Sequence, residues 1–541
     1  MKKLARILSL ALAVMLALGG VAFADAATEE DLGVIHRQHF GADLTELPIC
    51  EEPITIQVWR GFSSTVMEGY DECEVFKKME ELTNVKIDWI YPPVGSETDN
   101  FNMRCMSYDL PHMFSTPPEY NGGVEKAVEE EVYMAYTEYY DQGLAPNLKY
   151  LRDTYPDIAQ DSIMDSGELI KWHMIDYVPS SPWSGLWVRL DLLEDAGLEI
   201  PVTIEDWDNM LRVFKEKYGT YLGCNIPDWY GVGTNYAFAA SYDTGYGWFA
   251  KDGTTAAYGP IEPGYKDFLT LLNGWYEDGL LDPDFATIND QDYQSKMADG
   301  TYGAFTSAYG EIGQAIVSGK NNNPDYKVYA VRMPLSYEGQ VTHLRQSDSI
   351  VRTDYDVLTY RCVEEGIAET VVKWKDFWYS QTGGDLCSYG PEGVSYEWVD
   401  AGDGDEILKW TYEENGVTSR GSDKDFWTVY PLFKLHNWGY LRDSTSYDNQ
   451  DEVWQCIAAW EQDGDDWYMP MIAETADETE ELNRIMTDID TYREEMTFKF
   501  ITGQESLDKF DDYVESIKAM GIDDAIQIKQ DALDRYMERG A

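Results

Sequence analysis

The sequence predicts an α/β protein whose first domain is a parallel sheet with crossover helices, and three consecutive stretches predict it. Ile54-Thr55-Ile56-Gln57-Val58-Trp59 alternates branched and polar residues, a strand pattern closed by Arg60-Gly61. Val75, Phe76, Met79 and Leu82 then recur at helical spacing, and Asn84 ends the run. Val85 to Tyr91 reads as a second strand. A strand, a helix and a strand in this order make a βαβ unit, which closes with its strands parallel. Ligands of such sheets gather beyond the carboxyl ends of the strands, which makes Trp59 and Arg60 site candidates by position.

Further along, Trp187-Val188-Arg189-Leu190-Asp191 opens a second block. Pro201-Val202-Thr203 leads into a helix with Trp207, Leu211 and Phe214 on one face. Thr203 with Asp206 three residues on is a capping-box start, and Gly219 is the stop. Pro263 to Asp278 reads as another amphipathic helix, carrying Tyr265, Phe268, Leu271, Leu272 and Trp275. Near the C-terminus Ser506 is placed to cap a helix with Phe510, Tyr513, Val514 and Ile517 inward, and Gly521 closes it. A last helix carries Ile526, Ala532, Leu533 and Tyr536. No repeat period and no low-complexity linker occurs, so the chain is expected to cross between domains within structured segments.

Composition narrows the function. Of 541 residues, 41 are Lys or Arg and 99 are Asp or Glu, a formal net charge of −58. A nucleic-acid binder needs a basic surface to neutralise phosphates, and an anionic membrane would repel this chain. The 44% of hydrophobic residues suffices for large cores, and the length suits roughly two to four domains. Aromatics are abundant, with 18 Trp, 39 Tyr and 18 Phe.

At the N-terminus, Lys2, Lys3 and Arg6 precede an apolar stretch from Ile7 to Leu18, broken only by Ser9. Ala22-Phe23-Ala24 and Ala24-Asp25-Ala26 are small-x-small cleavage sites. Residues 1–24 are therefore expected to be a secretory signal peptide, too short in its apolar part to anchor in a membrane. No Cys near the cleavage point signals a lipid anchor. The seven cysteines form no CxxC pair and are expected to be mostly buried thiols.

Enzyme signatures fail one by one. There is no G-x-S-x-G elbow and no H-E-x-x-H. Gly319-Lys320 lacks the spaced glycine of a phosphate loop, and Gly231-Val232-Gly233 runs on into Thr234 rather than a dinucleotide fingerprint. His36-x-x-His39 has no acidic company at metal-ligand spacing. The acidic runs Asp400 to Glu406 and Asp463 to Asp466 lack the EF-hand pattern and read as solvated loops rather than calcium sites. A glycosidase needs only two carboxyl groups at a fixed separation, so a secreted glycan hydrolase stays open as an alternative.

Several short stretches resemble one family. Ser107-Tyr108-Asp109-Leu110-Pro111 is similar to its S-G-D-x-P segment, with Tyr for Gly, and Ala145-Pro146-Asn147-Leu148 with Tyr155-Pro156-Asp157 to its "PNL…YPD" stretch. Its most recognisable block is matched by Trp187-Val188-Arg189-Leu190-Asp191-Leu192-Leu193, continued by Ala196-Gly197-Leu198 and Pro201-Val202-Thr203. Gly279-Leu280-Leu281-Asp282-Pro283-Asp284-Phe285, Gly300-Thr301-Tyr302-Gly303-Ala304, Tyr389-Gly390-Pro391-Glu392-Gly393-Val394-Ser395-Tyr396 and Phe500-Ile501-Thr502-Gly503 follow in the family's order. The chain thus resembles the family 1 extracellular solute-binding proteins, the maltose-binding-protein-like components of carbohydrate ABC transporters.

The resemblance implies a two-lobed, periplasmic-binding-protein-like α/β fold, each lobe a mainly parallel sheet flanked by helices, closing around a ligand between the lobes. After the signal peptide and a leader (25–49), it implies a first lobe from 50–180 and 306–390, and a second from 181–305 and 391–541. The implied function is capture of an oligosaccharide in an aromatic-lined cleft and delivery to membrane permease subunits, by an exported monomer without cofactor, metal or chemistry of its own. A peptide ligand is the other alternative. Candidate ligand-binding residues are Trp59, Arg60, Glu119, Tyr120, Trp183, Trp229, Tyr230, Trp248, Tyr309, His343, Arg345 and Trp427. Trp and Tyr suit the C–H faces of sugar rings, and charged groups suit their hydroxyls. Arg189 with Asp191 suits a structural salt bridge instead.

Overall fold

The computed structural model describes residues 36–37, 39–62, 67–176, 182–223, 237–347, 349–402, 404–414, 417–419, 435–436 and 450–539. The expected signal peptide and the candidates Trp229, Tyr230 and Trp427 lie outside the described residues.

The opening βαβ unit forms as expected. β1 (Ile54–Trp59) and β2 (Val85–Ile90) pair in parallel, joined through helix α1 (Glu74–Thr83), which Asn84 ends in the left-handed conformation at φ 58°. β3 (Met113–Ser115) pairs parallel to β1 on its other side. Strand alternation sends Ile56 and Val58 to one face, against Val75, Phe76 and Met79 of α1, and Trp59 to the other, against Phe101 and Phe114. Helices therefore cover both faces. α1, α4 (Pro146–Thr154) and α7 (Ala368–Phe377) lie on the first, with α2 (Glu97–Ser107) and α3 (Gly123–Glu129) on the second.

β4 (Lys171–Asp176) and β11 (Val351–Leu358) complete this sheet, in the order Leu435–His436, β4, β11, β3, β1, β2. The chain leaves the sheet at the end of β4 and re-enters at the start of β11, where Val351 sits opposite Ile175. Exit and entry side by side at one edge force β11 to run antiparallel to β4 and β3.

Between exit and re-entry lies the second sheet, with β5 (Ser184–Arg189), β6 (Tyr221–Leu222), β9 (Tyr302–Ala308) and β10 (Val328–Val331) in the order β10, β5, β9, β6. Leu186, Val188 and Ala304 face α5 (Ile204–Tyr218) and α6 (Pro263–Glu277). Trp187, Phe305 and Ala330 face α8 (Gln450–Trp460). Gly185 permits that second contact, because a Cβ there would lie 2.4 Å from the Trp460 ring. The capping box of α5 is present, with Thr203 Oγ1 accepting from the Asp206 N–H at 3.2 Å and Asp206 accepting from the Thr203 N–H at 2.8 Å. The C-terminal helices α9 (Ala476–Ile501), α10 (Phe510–Ala519) and α11 (Ile522–Arg539) pack on this lobe, with Ile485, Ile489 and Phe500 against Tyr265 and Phe268.

The two-lobed α/β class stands, with three differences of detail. The second sheet is mixed: β5 runs antiparallel to both β9 and β10, and only β6 pairs in parallel. The return to the first sheet does not fall at residue 306, because β10 still pairs with β5 in the second sheet and sheet membership changes only at β11. The start of the 391–541 segment belongs with the first lobe, since Tyr396, Trp398, Leu408 and Trp410 of the hairpin β12 (Tyr396–Gly402) and β13 (Asp405–Trp410) pack into the first core. The leader is docked on that hairpin: His36 Nδ1 lies 2.7 Å from Asp405, and Arg37 donates to Glu406 at 2.8 Å. Cys73, Cys362, Cys387 and Cys456 are thiols buried in the packed layers.

Candidate functional site: a polar cavity on the first lobe

Among the described residues the chain leaves the first sheet after β4 and returns to it at β11, and these two crossings are tied together. Asp176 N–H at the end of β4 donates to Ile350 at 2.7 Å, and Trp183 N–H before β5 donates to the Gln346 side chain at 2.8 Å. Both ends of the first crossing, Asp176 and Trp183, are thereby tied to the second, which leads from β10 to β11. A turn between α8 and α9 in the second lobe, Asp463-Gly464-Asp465-Asp466, packs on the second crossing. Its Gly464 N–H donates to Thr342, and Gly464 accepts from the Arg345 N–H, both at 2.9 Å. A Cβ on Gly464 would sit 2.7 Å from the Thr342 carbonyl oxygen, so the approach requires glycine.

Each carboxylate of this turn has a partner. Asp463, 1% exposed in its side chain, accepts from both Arg332 Nη2 at 2.7 Å and Thr342 Oγ1 at 2.6 Å, and from the Met333 N–H at 2.7 Å. Asp465 pairs with Arg345 at 2.8 Å and accepts from Ser347 at 2.7 Å. Asp466 meets His343 Nδ1 at 2.8 Å, and the His343 ring stacks on Trp467 at 4.6 Å. The turn expected to be a solvated loop is the fastener of the hinge. His343 and Arg345, expected to face ligand, are held in it by sequence-distant acids. Among the described residues no group of His, Cys, Asp or Glu is arranged to hold a metal ion.

Against the second face of the first lobe lies a cavity of about 310 Å³. Its first wall is the first lobe: Pro117 and Glu119 beyond β3, Gly122 to Glu125 at the start of α3, Met164, Lys171 of β4 and Tyr355 of β11. Its second wall is the stretch from Ile472 to Thr479, which leads into α9 and so into the second lobe. The two lobes are held together at its flank. Arg535 of α11 pairs with Asp165 and, at 2.6 Å, with Glu478, while Tyr536 donates to Asp161 at 2.8 Å.

The electrostatics inside are uneven. Glu474 is neutralised by Lys529 at 2.6 Å, both side chains 17% exposed. Glu119 has no hydrogen bond or ion pair among the described residues, and Glu125 accepts only a long 3.4 Å contact from the Ser166 N–H. The Lys171 ammonium lies 4.7 Å from the centroid of Tyr355, and among the described residues it makes no hydrogen bond or ion pair. Burial holds its pKa below the usual lysine range, against the opposing pull of Glu474, Glu119 and Glu125. Burial likewise raises the Tyr355 phenol.

Of the residues singled out from sequence, Glu119 lines the cavity. Tyr120 packs on Tyr133 at 5.7 Å and donates to Glu130 at 2.5 Å, just outside it. Trp59 and Tyr309 are core residues instead, 1% and 3% exposed. Trp59 is wedged against Phe101 and Phe114 with Nε1 donating to Asn100 at 2.9 Å, because alternation along β1 turns it into the sheet layer. Tyr309 packs with Trp187 and Phe305, and its N–H donates to Trp183 at 3.0 Å. Trp183 and Tyr309 thus meet at one edge of the second sheet without lining the cavity. Arg60 points to Ser115 at 3.4 Å. Trp248 lies on the hairpin β7 (Trp248–Lys251) and β8 (Thr255–Tyr258), against Tyr258 at 4.9 Å. Arg189 and Asp191 form the expected structural pair, at 2.7 Å. Sequence reasoning missed Lys171, Tyr355 and Glu474. A lone Lys heading the apolar run Trp172-His173-Met174-Ile175 was the available signal for the first.

Two α/β lobes between which the chain passes and returns, with a cavity lined from the first lobe and from the stretch leading into α9, have the architecture of a solute-binding protein. The model of the bacterial extracellular solute-binding protein family matches residues 67–338, and the chain belongs to that family. It is 25% identical over 280 residues to lipoprotein LipO of Bacillus subtilis (strain 168), covering 47% of this chain and 51% of that protein, so it spans about half the length of the curated relative it matches. Among solved structures it is similar in fold to the alginate-binding protein AlgQ2, at 18% identity and TM-score 0.69 over 90% of this chain and 99% of that one. The Streptococcus pneumoniae ABC-transporter substrate-binding protein FusA, in complex with kestose, matches at 20% identity and TM-score 0.70 over 90% and 100%. An HMO-binding solute-binding protein from Bifidobacterium longum infantis matches at 15% and 0.68 over 90% and 99%.

Proposed function

We propose that the protein captures a carbohydrate, an oligosaccharide, between its lobes outside the cell and delivers it intact to the permease of an ABC importer. The observation that carries this reading is the cavity lined by the first lobe and by the stretch that leads into α9 of the second. A ligand touching both walls stabilises the arrangement that brings them together, which is how binding drives closure. Family membership supports capture rather than chemistry, and the alginate, kestose and HMO ligands of the fold relatives support a sugar. Glu119 and Lys171 supply acceptors and donors for hydroxyls, and Tyr355 supplies an aromatic surface.

A thermal-shift screen against mono- and oligosaccharides, with peptides as controls, tests it. A ligand that binds only the folded state raises the melting temperature by mass action. A shift with one glycan class, the glycan recovered intact, is the expected result. Shifts with peptides alone overturn the carbohydrate assignment, and recovery of shortened sugar overturns the role of simple capture.

A further inference from the structure

Resting on that reading, we propose that the cavity selects uncharged glycans over uronate-bearing ones, and that Lys171 is the residue that sets the register of the bound sugar by donating to one of its oxygens. The charge balance of the walls carries the first half. Glu474 is cancelled by Lys529, which among the described residues leaves Lys171 as the cation beside Glu119 and Glu125. A carboxylated sugar entering this space brings its charge towards two carboxylates that pair with no cation among the described residues, and the like charges oppose its binding. Hydroxyls meet no such opposition, because they donate to the same carboxylates.

The second half rests on the ammonium itself. Lys171 stands at the start of β4 with its stem along the sheet and its head over the Tyr355 ring. An ammonium carries three N–H donors, and a half-buried one without an acceptor is costly. The carboxylates that pull on it, Glu119, Glu125 and Glu474, and the Tyr355 ring beneath it all belong to the cavity wall. A ligand oxygen at the cavity centre satisfies the ammonium, and the ring beside it offers a face to the same sugar. The aromatic and the donor thus converge on one pyranose or furanose unit.

The experiment is isothermal titration of the full chain with tetrasaccharides matched in length: neutral fructo-, malto- and xylo-oligomers, tetragalacturonate, and a fully deacetylated amino-sugar tetramer. The best neutral oligomer is expected to bind at least tenfold tighter than tetragalacturonate. Glu119→Gln narrows that gap. Lys171→Met keeps the stem against Tyr355, removes the donors, and is expected to weaken the neutral ligand ten- to a hundredfold while the melting temperature of the unliganded protein stays the same or rises. Lys171→Arg recovers part of the loss. Tetragalacturonate binding as tightly as the neutral series overturns the charge selection, and wild-type affinity in Lys171→Met overturns the role of that residue. Both leave carbohydrate capture standing. Binding to peptides and to no glycan instead removes the carbohydrate reading, and this inference with it.

Discussion

Two acid-rich regions of this protein lie close together and behave oppositely. In the turn after α8, Asp463, Asp465 and Asp466 are each matched to a named side-chain partner from the second crossing. In the neighbouring cavity, Glu119 and Glu125 face a single lysine that reaches neither within hydrogen-bond distance. Both regions look alike in a sequence with 99 acidic residues. The difference is one of satisfaction. A buried carboxylate with all its acceptors used belongs to the framework, while charged groups lining a cavity with their capacity unspent are available to a ligand.

Removing a carboxylate from the first region tests the contrast most severely. Asp463→Ala strips Arg332, Thr342 and the Met333 N–H of their common acceptor inside the hinge. The expected loss is about 3 kcal/mol, the cost of breaking a buried charged pair from one side. A shift of the urea midpoint at constant slope measures it. A loss below about 0.5 kcal/mol, the usual size for an exposed surface substitution, breaks the distinction between the regions.

A second test uses pH within the first lobe. Asp376 of α7 is buried and accepts from the N–H groups of Asn147 and Leu148 at the start of α4, at 3.2 and 2.9 Å. Burial raises its pKa to about 6, with those hydrogen bonds and Thr45 pulling the other way. The folded protein therefore holds a proton that the unfolded chain releases, and stability falls as pH rises from about 4 through 6. His173 acts in the opposite sense. Burial lowers it to about 3, so the unfolded chain binds the proton first and stability falls as pH drops below about 6.5. Asp376→Asn removes the first slope and leaves the second. Wild type is expected to gain up to about 3 kcal/mol relative to the variant between pH 7 and pH 4. A pH-independent difference between the two in urea titrations contradicts the assignment.

The same contrast explains what was legible in the sequence. The βαβ opening, the Thr203 capping box and the buried faces of α5 and α6 follow from local periodicity, which packing then obeys. Trp59 was misplaced by a rule that is right about strand ends and silent about faces. Its position beyond Val58 puts it near the ligand edge, but alternation turns the ring into the layer between Phe101 and Phe114. His343 and Arg345 were read as ligand groups because their partners lie more than a hundred residues away, at Asp466 and Asp465. Pairings at that separation come from the path of the chain between lobes, which no local pattern encodes. Lys171 was missed for the converse reason. One lysine before an apolar strand is ordinary, and only the absence of an acceptor around it in three dimensions makes it notable.

The smallest expected effect is the sharpest version of the comparison. Glu119 is exposed and has no partner among the described residues, so Glu119→Gln breaks no protein–protein interaction. Its stability is expected to stay within about 0.5 kcal/mol of wild type, as at other surface positions free of special contacts. Any change should be a slight gain, because the substitution removes one negative charge from a chain with a net charge of −58. Affinity for the bound solute should move all the same, since Glu119 belongs to the cavity wall. Measuring urea midpoint and dissociation constant on one preparation separates the two quantities. A Glu119→Gln protein that loses stability without changing affinity would show that this carboxylate is framework, as Asp463 is, and would move the boundary of the site to Lys171 and Tyr355.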